Sequence, residues 1–157
     1  MKKKRINYSR LNSSMRFPSP KKAMLINAFF YLCYSRLLLK TTSFKKLAAR
    51  LGEPMTESTI DSDKEAIDTA LQFGKSINKL SNYTPFRSMC FEQALALKFL
   101  LNKKGIASTI YLGVLKVEDE SKLKAHAWTR VGNVYPTGNK GKESFTIIST
   151  FGLIKQD

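Results

Sequence analysis

The sequence predicts an α+β fold, with helices first and a small, mostly antiparallel sheet after them. Three observations carry that reading. Apolar residues recur at helical spacing through much of the chain before residue 105. From residue 106 onward the pattern changes to short segments rich in β-branched and aromatic residues. Between two of those segments stands Gly132-Asn133, a pair suited to a two-residue hairpin turn. At 157 residues, 43% of them apolar, the chain suits one packed domain with an extension.

Residues 1–22 are basic and polar, carry Pro18 and Pro20, and read as a flexible arm. Residues 23–39, AMLINAFFYLCYSRLLL, are the most apolar stretch. Broken by Asn27 and Arg36, they are marginal for a bilayer span and read as a buried or partner-facing helix, with membrane association as the alternative. In SFKKLAARLG, Ser43 supplies an N-cap and Gly52 a stop for a short amphipathic helix. Residues 53–63 turn acidic and polar and read as a linker. From Ser62 to Leu80 the residues Ala66, Ile67, Ala70, Leu71, Phe73, Ile77 and Leu80 mark a second long helix, which cannot continue past Pro85. Residues 89–104 form the next helix, capped by Ser88 and closed by Gly105. Strands are expected over 106–117, 124–131, 134–139 and 145–151, with 118–122 as a loop. The organisation is an arm (1–22), an N-terminal helical region (23–60) and a core (61–157).

Charge is unevenly placed. Residues 1–50 carry thirteen Lys or Arg and no acidic residue, whereas the rest carry fourteen basic against twelve acidic side chains. Such a block fits contact with something acidic, or simply a solvated surface. Nucleic acid is not the expected partner, because no recognition motif is present and no aromatic-basic sheet face is apparent. GNKGKES is not a Walker loop, since the earlier glycine is missing and Glu143 stands where Ser or Thr is needed, so no ATP site is expected. Two cysteines, Cys33 and Cys90, do not make a disulfide scaffold, and a reducing cytoplasm is the expected compartment. With one histidine, they cannot close a four-ligand zinc site without carboxylates. No cofactor or metal is expected.

Cys90 falls in the first turn of its helix, where free amides and the helix dipole favour an anion and can also hold a developing oxyanion. A thiolate nucleophile needs a base, and His126 is the only histidine. It lies in KAHAWTRV, sharing a strand face with Trp128 and Arg130. A third group should orient the ring. Extending the Gly132-Asn133 hairpin sets Trp128 opposite Thr137 and His126 opposite Asn139. Asn139 is therefore the candidate for the third position, with Thr137 the nearby substitute.

The stretch RSMCFEQALALKFLLNKKGIASTIYLGVLK, with LKAHAWTRVGN after it, resembles the lasso-peptide leader peptidases. The matching residues are Arg87-Ser88, Cys90, Glu92-Gln93-Ala94-Leu95-Ala96, Gly105-Ile106, Leu112-Gly113-Val114 and Ala125-His126-Ala127-Trp128. The apolar-then-basic N-terminal helices also look like that family's. The resemblance implies a transglutaminase-like cysteine protease core that removes the leader from a ribosomally made precursor peptide, with Cys90 as nucleophile and His126 as general base. It implies two further partners: a separate leader-recognition protein and an ATP-dependent macrolactam cyclase. The basic N-terminal third would then be a docking surface, with peripheral membrane contact as the other use. The family usually carries an Asp about a dozen residues after the histidine, where this chain reads Pro136-Thr137-Gly138-Asn139-Lys140. Two other readings share the residues: a thiol amidase or acyl transferase on the same core, and a basic binding or scaffold protein without catalysis.

Overall fold

The computed structural model describes residues 19–116 and 123–153. Most of the basic arm and the expected 118–122 loop lie outside those residues. Helix α1 spans Pro20–Thr41, with its proline at the first turn, where a missing N–H costs nothing. Helix α2 is Phe44–Ala48, α3 is Lys64–Leu80 and α4 is Cys90–Lys103. Asp63 caps α3, its carboxylate accepting from the Ala66 amide at 2.7 Å.

The strands are β1 (Glu53–Pro54), β2 (Ser108–Lys116), β3 (Leu123–Val131), β4 (Val134–Thr137) and β5 (Thr146–Leu153). They form one five-stranded sheet in the order β1-β5-β2-β3-β4, every pairing antiparallel. The fold is α+β, as expected.

Helices α3 and α4 cover one face of the sheet, and α1 packs across those two helices. Leu32, Phe73, Ile77, Leu97, Leu101 and Val131 belong to one buried cluster, and Leu47, Leu51, Leu95, Ile110, Ala127 and Phe151 to another. The division drawn at residue 60 does not coincide with a break in this core, because Leu32 and Leu38 of α1 and Leu47 of α2 are buried in the same clusters as residues of α4.

Residues 53–63 are more than a linker. Glu53 and Pro54 pair with β5, and the chain then crosses the sheet face away from the helices. There the Ser58 amide donates to Thr109 Oγ1 at 2.8 Å. Arg130, buried, clasps the strap: Nη2 donates to the Ser58 carbonyl at 2.7 Å and to Glu57 Oε2 at 3.1 Å. Its Nε reaches the Tyr111 hydroxyl at 2.8 Å, and Nη1 the Gly132 carbonyl at 2.8 Å. A polar segment can cross a sheet because one guanidinium offers five donors in a fixed fork.

Candidate active site

Cys90 is the first residue of α4, half-buried. The helix is capped one residue later than Ser88: Met89 is the N-cap, and the buried Ser88 hydroxyl has no hydrogen-bond partner. Glu92 is the reason. Three residues after Met89, its Oε2 accepts from the Met89 amide at 3.2 Å, the carboxylate half of a capping box. Its Oε1 takes Arg36 Nη1 at 2.7 Å, which fastens the start of α4 to α1. The Gln93 amide is the first to find a helical acceptor, Met89 O at 3.1 Å. The amides before it, Cys90 among them, lie in the turn that has no intrahelical acceptors.

Helix α4 runs alongside β3 in the same sense. Ala94 packs in one cluster with Ala127, and its carbonyl accepts from Thr129 Oγ1 at 3.3 Å, while Leu97, Leu100 and Leu101 share a cluster with Val131. Cys90, one turn before Ala94, therefore sits toward the end of β3 that carries His126.

Strand alternation governs the rest. Ala127, Thr129 and Val131 face α4, so His126, Trp128 and Arg130 face the other way. Trp128 stacks on Tyr111 with centroids 5.6 Å apart. The His126 ring lies 5.6 Å from Trp128 and 5.0 Å from Phe145. Gly113 is the cross-strand partner of His126, and a Cβ there would meet the Trp128 ring at 2.9 Å. That glycine, rather than the flanking alanines, makes the room on this face. A cleft of about 580 Å³ opens beside it, bounded by Tyr111, Trp128, Arg130, Tyr135, Lys142 and Phe145. Burial pushes the Tyr111 hydroxyl up to about 12, with the Arg130 hydrogen bond opposing it.

The hairpin forms at Gly132-Asn133 with Val131 opposite Val134, but the register then slips by one, setting Thr137 opposite Thr129 instead of Trp128. Strand β4 ends at Thr137. Thr137 is buried on the α4 side, its hydroxyl without a partner. Asn139 lies beyond the strand and is exposed, so the pairing that set it opposite His126 is not the one formed. What His126 Nε2 meets instead is the Gly138 carbonyl, at 2.8 Å. A carbonyl only accepts, so Nε2 carries the proton and Nδ1 is left as the basic nitrogen. Gly138 is twelve residues after His126, in the span where the resemblance expects an Asp. Its φ is +67°, and a Cβ would fall 2.3 Å from the Ala127 carbonyl. Only glycine brings a backbone carbonyl there.

Residues 34–150 match the transglutaminase-like superfamily. The chain belongs to that superfamily. The match begins inside α1, ends inside β5 and encloses Cys90, His126 and Gly138. No curated protein and no solved structure matches the chain at a significant level. In this transglutaminase-like core Cys90 begins α4, and His126 lies on the face of β3 turned away from that helix. Among the described residues no hydrogen bond joins Cys90 Sγ to His126. Strand β4 pairs with β3 only at Thr129 and Val131, so among the described residues the His126 end of β3 has no strand neighbour on that side.

Proposed function

We propose that the protein is a cysteine peptidase that removes the leader from a lasso-peptide precursor. The observation that carries the chemistry is the placement of Cys90 at the amide-rich start of α4, toward the end of β3 that bears a histidine with a fixed tautomer. The precursor specificity rests on the sequence resemblance through RSMCFEQALAL and AHAW.

In this reading Nδ1 of His126 takes the Cys90 proton, and the thiolate attacks the carbonyl at the leader–core junction. The Cys90 amide and its neighbours hold the oxyanion. The imidazolium gives its proton to the departing core amine, leaving the leader as a thioester on Cys90. Water, deprotonated by His126, then releases the leader. Gly138 O keeps the ring in register throughout, in the role expected of Asn139. The cleft beside Trp128 and Phe145 receives residues flanking the junction. A separate leader-recognition protein presents the precursor, and an ATP-dependent cyclase closes the ring afterwards, in the cytoplasm; this chain needs no cofactor.

The test is leader removal from the precursor, monitored by mass spectrometry with the recognition protein present. Wild type should release the leader, and Cys90→Ala and His126→Ala should not. Full cleavage by folded Cys90→Ala would end the proposal.

A further inference from the structure

The outward face of α1 is apolar for most of its length. Ile26 is 61% exposed, Phe29 40%, Phe30 60% and Leu37 57%, at spacings that put them on one side of the helix with half-buried Cys33 among them. Lys22 and Lys40, both exposed, fall on the same stripe at its two ends, about 27 Å apart at 1.5 Å per residue. Helix α2, which follows α1 directly, exposes Phe44, 51%, and Lys45 and Lys46. No acidic residue occurs before Glu53.

The opposite side of α1 is core. Ala28, Leu32, Ser35 and Leu38 are buried, and the first two share a cluster with Phe73 and Leu97. By length and composition α1 is apolar enough to cross a membrane. Crossing would strip those residues from α3 and α4, so the packed helix is suited to lying on a surface. Its occupant must be apolar beneath and anionic around. A second copy fails the latter condition, because two such faces would bring like charges together. An anionic bilayer meets both: apolar side chains enter the acyl boundary while lysines stay among the headgroups.

We propose that α1 lays the Ile26–Phe30–Leu37 stripe into an anionic phospholipid surface, with Lys22, Lys40, Lys45 and Lys46 at the headgroups. This stands apart from the chemistry of Cys90.

The test is co-sedimentation of the full chain with vesicles of phosphatidylcholine alone or mixed equally with phosphatidylglycerol. Binding to the mixed vesicles should be at least about tenfold tighter and should weaken by about tenfold or more between 0.1 and 0.5 M salt. The triple variant Ile26→Ser, Phe30→Ser, Leu37→Ser alters exposed positions only, and its fold is checked by circular dichroism. It should lose most of the binding, and Lys45→Gln with Lys46→Gln should lose several-fold. No binding to the mixed vesicles, or equal binding by the triple variant, overturns the proposal. So does a dimer, or a complex with an acidic protein, that the triple variant dissolves while vesicle binding is unchanged.

Discussion

His126 donates its Nε2 proton to the Gly138 carbonyl at 2.8 Å, and the glycine is what admits that carbonyl. A backbone group thus stands where a side-chain acceptor was expected. It cannot be removed by truncating a side chain, only by adding one. Gly138→Ala places a methyl group against the Ala127 carbonyl at a left-handed φ. The expected result is a fall in kcat on the order of 10²-fold, with KM little changed. Because His126 is the only histidine, its ¹⁵N spectrum reports the tautomer directly. The wild-type ring should show the Nε2–H form, and the variant a mixture. Asn139→Ala should leave both readouts near wild type.

Arg130 and Glu57 form an ion pair of very unequal halves. Arg130 is buried and satisfies the Ser58 and Gly132 carbonyls and the Tyr111 hydroxyl, whereas Glu57 is largely exposed. Arg130→Met should cost about 2–4 kcal/mol in denaturant unfolding, because buried acceptors lose their donors. Glu57→Gln should cost less than about 1 kcal/mol. Equal losses would show that the ion pair, rather than the carbonyl clasp, holds the strap.

Lys98 is fully buried in α4, and its Nζ donates to the Ser108 carbonyl at 2.6 Å and hydroxyl at 3.1 Å. Burial lowers its pKa from 10.5 to about 7. Between those values the unfolded chain holds a proton that the folded chain has released, so this residue makes stability rise as pH rises from about 7 toward 10. Below pH 7 both states are protonated, and the cost of burying the charge is at its full value. Lys98→Met should stabilise the fold most at pH 7 or below, by up to about a few kcal/mol, and the gain should shrink toward pH 10. Denaturant unfolding across that range reads the difference, and a gain independent of pH would contradict the assignment.

The helices and strands were legible because their periodicities are strong: Ala66 to Leu80 carries a helical stripe, and KAHAWTRV alternates. Cys90 at a helix start and His126 within a strand came from the same patterns. The acceptor for His126 was not legible, for two reasons. A one-residue slip after the hairpin moved Thr137 opposite Thr129, and the group that replaced Asn139 is a carbonyl, which every residue possesses. The strap over residues 53–63 was hidden because its polar residues look like a linker until Arg130, distant in sequence, is known to bind them. Glu92 and Lys98 sit in an apolar helix, and their burial depends on Arg36 and Ser108, which only the fold brings near.

The proposed chemistry turns on Cys90 carrying the leader as a thioester. Intact-mass spectrometry of the Cys33→Ser protein, quenched in acid during turnover of the precursor, tests it most directly. The expected species is heavier than the enzyme by the leader acyl group, located at Cys90 by peptide mapping, absent in Cys90→Ala and lost on treatment with hydroxylamine. Leader release at an undiminished rate by Cys90→Ala, or an acyl group mapped to another residue, would contradict it.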